Sequence, residues 1–240
     1  MYFLLSGEGP TDLGVCSNGL TQCEGEHHLQ GPLAMIVSQM AEQRIKYSFI
    51  ESHFYGFISK NELKSRASIF KKKKSTPSLP GKKKQKETEY FYRNARALAL
   101  AAKDKEEELN DDEVIAVLFR DSDGSASADR GLWQHKEDSI IRGFKDEGYE
   151  KGVPMVPKPK SEAWIICAVK DNPYQGCNSL ENRSGNDKSP QSLKKELAEI
   201  LEGRTSRTQL CELVNDGTVD WTRIDMPSFL AFKNALFNVL

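Results

Sequence analysis

The chain has 240 residues, of which 38% are hydrophobic and 29% charged, a balance typical of a soluble globular protein that is long enough to bury a core. The formal net charge of −1 gives no overall field that would draw the chain to nucleic acid. No apolar run approaches the roughly 20 residues of a membrane-spanning helix, and the apolar N-terminus lacks the basic leader of a signal peptide. We therefore expect no membrane-spanning helix, no membrane partner and a cytoplasmic location.

The five cysteines have no framework spacing, which indicates reduced thiols and agrees with a cytoplasmic location. Cys167 lies in an apolar stretch and is expected to be an inert buried thiol. Cys16, Cys23, His27 and His28 share one stretch of the chain, but their spacing matches no common structural zinc site. Zinc is therefore not expected there.

The first predicted elements alternate between strand and helix. An apolar run at 2–7 predicts a buried strand, which a Gly-Glu-Gly-Pro turn closes. Residues 14–30 are polar and glycine-rich and are expected to be irregular, whereas Pro32 begins a helical pattern. The alternation of residues 47–51 favours a second strand.

The middle of the chain contains the clearest strand. It is preceded by a lysine-rich segment at about 71–86, predicted to be an inserted surface loop, and by helical spacing over 87–109. The continuous apolar run at 114–119 predicts a strand that is buried on both faces of a parallel sheet. A helix over 129–147 and a short strand at 153–156 are expected next.

The remainder of the chain is predicted to be helical. Ser161 is placed to cap a helix over 162–168, and a last helix is expected over 227–240. Strands that alternate with helices favour an α/β fold with a mostly parallel sheet flanked by helices. We expect an α/β domain over 1–170 and a helical C-terminal extension over 171–240, packed on the same domain.

Two acidic motifs follow predicted strands. Glu8 and Asp12 lie in the turn after the first strand, and Asp121 and Asp123 lie in an Asp-Ser-Asp-Gly motif after the 114–119 strand. An open α/β sheet normally holds its ligands beyond the carboxyl ends of its strands. Side chains two residues apart on extended backbone point to the same side, so both aspartates can reach one cation. Hard carboxylate oxygens suit Mg²⁺ or Mn²⁺, and the cation would offset their mutual repulsion.

The order of these motifs resembles the TOPRIM domain of topoisomerases, bacterial primases and OLD-family (overcoming lysogenisation defect) nucleases, in which a strand ending in Glu-Gly-x-x-Asp precedes one ending in Asp-x-Asp-Gly. Residues 157–164 are similar to the Pro-x-x-Glu-x-Trp segment of small stand-alone TOPRIM proteins related to the OLD group. Residues 226–232 are similar to the C-terminal Pro-Ser-Phe-x-x-Phe helix of that group. The resemblance is spread over nearly the whole chain and implies a TOPRIM-like (Rossmann-like) fold.

The resemblance also implies a role for each acid. Glu8 would be a metal ligand or general base, and Asp121 and Asp123 would be metal ligands. Asp12 and Glu162 would complete a second metal position. Two ions roughly 3.5–4 Å apart would then clamp the attacking and leaving oxygens of an in-line displacement.

Lysines would supply the positive charge that a phosphate substrate needs. Lys160, or else Lys158, would balance charge that develops on the phosphate. The lysine-rich segment is a weaker candidate for contact with DNA or RNA, because such runs are ordinarily solvated loops. The lysines considered there are Lys72, Lys73, Lys83 and Lys84.

Several of these residues also have an ordinary structural interpretation. Asp-Ser-Asp-Gly is a common turn sequence, Glu162 is also a first-turn acid favoured by a helix dipole, and Asp12 is also a typical surface-loop acid. Trp164 is expected to be a core anchor, and so are Phe229 and Phe232, which share one helical face.

The resemblance implies a Mg²⁺- or Mn²⁺-dependent nuclease that hydrolyses phosphodiester bonds of DNA or RNA. Similar proteins often act beside an ATPase in prokaryotic anti-phage or mobile-element systems. This chain contains no Gly-x-x-x-x-Gly-Lys-Ser/Thr motif, so a separate ATPase partner is expected, and an oligomer is left open. One alternative is a non-catalytic TOPRIM binding or regulatory subunit of such a complex. Another is primase-like or topoisomerase chemistry, with Tyr90 and Tyr92 as the candidate tyrosines.

Overall fold

A computed structural model describes residues 1–70, 86–122 and 132–240 of the chain. The strands in these ranges are β1 (Tyr2–Gly7), β2 (Gly14–Cys16), β3 (Gln22–Glu24), β4 (His28–Gln30), β5 (Tyr55–Ser59), β6 (Val114–Phe119) and β7 (Gly152–Met155). The α-helices are α1 (Pro32–Ile45), α2 (Lys60–Arg66), α3 (Lys86–Glu108), α4 (Leu132–Asp146), α5 (Glu162–Val169), α6 (Leu193–Ile200), α7 (Arg207–Asn215) and α8 (Pro227–Val239).

A five-stranded sheet runs through the centre of the protein in the order β3-β5-β1-β6-β7. Strands β5, β1, β6 and β7 are parallel, and β3 pairs antiparallel with β5 at one edge. Strands β2 and β4 form a separate two-stranded antiparallel sheet. The predicted α/β class with a mostly parallel sheet flanked by helices is therefore confirmed.

The two central strands, β1 and β6, are buried at every residue. Alternate side chains of a strand point to opposite faces, so each strand contributes to two cores. Phe3 and Val117 pack on one face with residues of α1, α5, α7 and α8. Leu4 and Leu118 pack on the other face with residues of α2, α3 and α4. Continuous apolar sequence is thus what a strand covered on both faces requires.

The C-terminal helices share the first of these cores. Helices α7 and α8 pack against α1, and α8 also packs against β7. Trp164 is fully buried, lies edge-on to Phe229 at 5.0 Å between ring centroids, and stacks on Phe232 at 6.0 Å. Its Nε1 donates to the hydroxyl of Ser228 at 2.9 Å. The predicted core role of the three aromatic residues is confirmed, and two sequence motifs about 65 residues apart meet here.

Two local predictions in the first half of the chain are wrong. Residues 47–51 form no strand; the strand is β5, which begins at Tyr55. Phe49 is buried because it stacks on Phe3 from within a turn, at 4.2 Å between ring centroids, so its apolar character reflects packing and not strand alternation. Residues 14–30 are more regular than expected, since they contain β2, β3 and β4.

The prediction of reduced cysteines is also wrong. Cys16 is bonded to Cys23 and Cys167 to Cys177, and Cys211 has a free thiol. The fold brings the Cα atoms of these pairs to 5.7 and 5.3 Å, within the range that a disulfide spans. The spacing of the cysteines in the sequence matches no known disulfide pattern. Disulfides are typical of oxidising compartments, so they do not support the predicted cytoplasmic location.

None of the helices in residues 1–70, 86–122 and 132–240 combines the length and the apolar character needed to span a bilayer.

Candidate metal centre

The carboxyl ends of β1 and β6 deliver the predicted acids to one edge of the sheet. The two strands are parallel neighbours, with Ser6 opposite Leu118, and Glu8 and Asp121 follow them closely. The chain first passes from β1 to β5 on one side and later crosses to β6 on the other. This reversal makes the edge between β1 and β6 the switch point at which open α/β sheets bind ligands.

Ser161 joins two of the acids from a third segment of the chain. Its backbone N–H donates to Asp121 Oδ1 at 3.1 Å, and its hydroxyl donates to Asp12 Oδ1 at 2.5 Å. The expected side-chain cap of α5 is therefore absent, because the hydroxyl is used to hold Asp12. Segments up to 149 residues apart in the sequence converge at this serine.

Burial and neighbouring acids raise the pKa of the two aspartates that Ser161 holds. Burial, together with repulsion by Glu162 and Glu8, raises the pKa of Asp12 to about 6, although the Ser161 hydrogen bond and Lys160 act in the opposite direction. Burial and repulsion by the same acids, with Asp12 added, hold the pKa of Asp121 well above its usual range. Glu8, Asp12, Asp121 and Glu162, called the carboxylate cluster below, therefore act on one another as a group.

Glu162 contributes an unsatisfied oxygen to the carboxylate cluster. Its Oε2 atom is buried and has no hydrogen-bond partner within the described structure. A buried carboxylate oxygen without a partner is costly, because it has lost its hydration and gained nothing in return. Such an atom is a fitting ligand for a cation.

Two basic side chains that were not predicted from the sequence lie beside Glu8. Lys60 begins α2, directly after β5, and its Nζ lies 3.0 Å from Glu8 Oε1. Arg120 is completely buried, donates to Asn94 Oδ1 at 3.0 Å, and interacts electrostatically with Glu8. Arg120 carried a signal in the sequence, since it is a charged residue between an apolar strand and Asp121. Lys60 carried none without knowledge of β5.

Lys160 lies near the carboxylate cluster but is engaged elsewhere. Its ammonium group pairs with Asp187 at 2.8 Å, and its charge lowers the pKa of Asp12. The predicted contact of Lys160 with a substrate phosphate remains a prediction.

A cavity of about 90 Å³ opens beside two of the acids. It is bounded by Asp12 and Glu162 on one side and by Lys194 of α6 on another. The remaining lining residues are Thr11, Pro32, Ser161, Ile165, Leu197, Thr205 and Leu210. The helical C-terminal residues therefore form part of the wall of the site.

Some predicted site residues lie outside the described residues. These are Asp123, Lys72, Lys73, Lys83 and Lys84. Among the residues that are described, no group of three or more His, Cys, Asp or Glu side chains is arranged to hold a metal ion. The carboxylates are instead turned toward protein partners, Glu8 to Lys60 and the two aspartates to Ser161.

No protein-family model matches the chain, and no curated protein and no solved structure matches it either.

Proposed function

We propose that the protein is a TOPRIM-type, divalent-metal-dependent nuclease that hydrolyses phosphodiester bonds of DNA or RNA. The observation that carries the proposal is the convergence of Asp12 and Asp121 on Ser161 near the switch point between β1 and β6. Glu8 and Glu162 lie close enough to help raise the pKa of both aspartates. Acids held together against their own repulsion are costly to folding, and they are concentrated at functional sites.

The donor set fits Mg²⁺ or Mn²⁺. All four side chains offer hard carboxylate oxygens, which these ions prefer, and the unpartnered Glu162 Oε2 is an oxygen that a cation would satisfy. Glu8 and Asp121 would hold one ion together with Asp123, and Asp12 and Glu162 would complete the position of a second. When bound, the ions would supply Lewis-acid stabilisation of the charge on the phosphate oxygens.

Residues of the chain would also take part in hydrolysis directly or position the residues that do. Glu8, whose side chain is 19% exposed, would take the proton of the attacking water. Ser161 would fix the orientation of Asp12 and Asp121 through its two hydrogen bonds. Lys60 and Lys160 would place positive charge near the phosphate.

We further propose that the nuclease is an effector or accessory subunit that acts with a separate ATPase in prokaryotic defence against foreign DNA. The resemblance of the sequence to stand-alone TOPRIM proteins and the lack of a phosphate-binding Gly-x-x-x-x-Gly-Lys-Ser/Thr motif support this setting. A cytoplasmic location belongs to the same proposal. Titration of free thiols in native protein from cytoplasmic extract tests it, because four bonded cysteines would indicate another compartment.

The experiment that tests the activity uses purified protein with plasmid DNA and with RNA, in Mn²⁺, Mg²⁺ or EDTA, alone and with the ATPase encoded nearby. We expect cleavage that needs the metal and that disappears in an Asp121→Ala, Asp123→Ala variant. Asp104→Asn, at an exposed acid of α3, is the matched control and should cleave normally. Metal-dependent cleavage by the double variant would contradict the proposal. Inactivity in every combination would favour the non-catalytic subunit.

A further inference from the structure

Two lysines reach the carboxylate cluster from opposite faces of the sheet. Lys60 belongs to α2, whose Leu63 packs in the core shared with α3 and α4. Lys194 belongs to α6, whose Leu197 packs in the core on the other face. The carboxylate cluster lies between them, at the edge where the two faces meet.

Lys60 marks one side of the cluster. Its ammonium group is 3.0 Å from Glu8, and 43% of its side chain is exposed. The charge is thus available at the surface beside the acid that would activate water. A phosphate on this face would share the Lys60 ammonium group with Glu8.

Lys194 marks the other side. It lines the cavity of about 90 Å³ together with Asp12, Glu162 and the threonines Thr11 and Thr205. In residues 1–70, 86–122 and 132–240, no carboxylate forms an ion pair with Lys194. A phosphate group at the mouth of this cavity would face Lys194.

We propose that a single polynucleotide strand crosses the carboxyl edge of the sheet from one face to the other. One phosphate contacts Lys60, another contacts Lys194 at the cavity, and the bond to be cut lies over the carboxylate cluster between them. This inference rests on the proposed function, and it defines the substrate as a strand with phosphates on both sides of the cut. A mononucleotide or a phosphomonoester would engage one lysine only.

The test measures binding of a fluorescent single-stranded oligothymidylate by anisotropy, at several salt concentrations, with Ca²⁺ as the divalent ion. Each phosphate contact contributes about 0.7 to the slope of log K against log salt for a single strand. We expect Lys60→Gln and Lys194→Gln to lower the slope by about 0.7 each and the double variant to lower it by about 1.4. Lys64→Gln, one turn further along α2, and Lys195→Gln, the neighbour of Lys194, are the matched controls.

An unchanged slope in the two variants, an equal loss in the controls, or no binding of the oligonucleotide would overturn the inference. Cleavage in Mn²⁺ is measured in parallel, so the two proposals fail separately. Lowered slopes without any cleavage would support the strand path and contradict the nuclease. Cleavage with unchanged slopes would support the nuclease and contradict the strand path.

Discussion

Two groups of acids, one at each end of β1, differ in how their charge is balanced. At the amino end of β1, Lys105 forms ion pairs with Glu24 and Glu108, and its ammonium lies 5.1 Å from the ring centroid of Tyr2. Both carboxylates are more than half exposed. The two ion pairs offset the cost of burying the charge of Lys105. We call these three residues the Lys105 cluster.

The carboxylate cluster at the opposite end of β1 is not balanced in this way. It has four acids whose main contacts with one another are repulsive, and two of them have a raised pKa. Exposed ion pairs contribute modestly to stability, whereas repulsion among acids that Lys60 and Lys160 offset only in part lowers it. We therefore expect the Lys105 cluster to support the fold, whereas the function proposed for the carboxylate cluster is to bind a cation.

The largest expected effect is a difference in cleavage rate between variants of the two clusters. We expect Asp121→Asn to reduce metal-dependent cleavage about 10³-fold, because the charge stabilisation provided by a bound metal is worth several kcal/mol. Lys105→Met should cleave at the rate of the unchanged protein. Single-turnover cleavage of plasmid DNA measures both. Equal rates for Asp121→Asn and Lys105→Met would remove the functional distinction between the clusters.

A second effect concerns stability against pH in metal-free protein. The pKa of Asp12 is about 6 in the folded state and roughly 4 in the unfolded chain, so the folded state binds more protons between these pH values. The proton bound by Asp12 therefore stabilises the folded state. This contribution to the free energy of unfolding is complete below about pH 4 and is lost as pH rises through 6. We expect Asp12→Asn to become more stable than the unchanged protein by about 1–2 kcal/mol at pH 7.5, and to be equal to it at pH 4.

Urea unfolding in EDTA at the two pH values measures this difference. Saturating Mg²⁺ should restore the stability of the unchanged protein at pH 7.5 and leave Asp12→Asn less affected. A stability difference that does not depend on pH would mean that Asp12 does not carry the raised pKa.

The smallest expected effect is at the Lys105 cluster. We expect Lys105→Met to lower the free energy of unfolding by about 1 kcal/mol at neutral pH, because two ion pairs are lost while both carboxylates remain hydrated. Lys64→Met, at an exposed lysine, should change it by less than about 0.5 kcal/mol. Thermal unfolding of the two variants tests this, and a stability gain for Lys105→Met would contradict the supporting role of that cluster.

The elements that were predicted correctly are those whose local sequence pattern is compatible with only one type of secondary structure. The apolar strands β1 and β6 and the long helix α3 depend on continuous burial or on a sustained helical period. Strand β5 was missed because Gly56 weakens its strand character, while the alternation at 47–51 imitates a strand. The disulfides could not be foreseen, since connectivity depends on which Cα atoms the fold brings together.

The residues of the candidate site also fall into a predictable and an unpredictable group. Glu8 and Asp121 were identifiable because each follows an apolar run, and parallel neighbouring strands then place them together. The bond from Ser161 to Asp12, the approach of Lys60 to Glu8 and the cavity at Lys194 depend on long-range packing. No local pattern records such contacts, so sequence reasoning assigned Ser161 to a helix cap and did not consider Lys60 or Lys194.

The central claim is that the carboxylate cluster holds a divalent cation. Isothermal titration of Mn²⁺ into the full chain at pH 8, where Asp12 is ionised, tests it most directly. We expect saturable binding to the unchanged protein and to Lys105→Met, with binding to Asp121→Asn at least about tenfold weaker. No uptake by the unchanged protein, or equal uptake by Asp121→Asn, would contradict the claim.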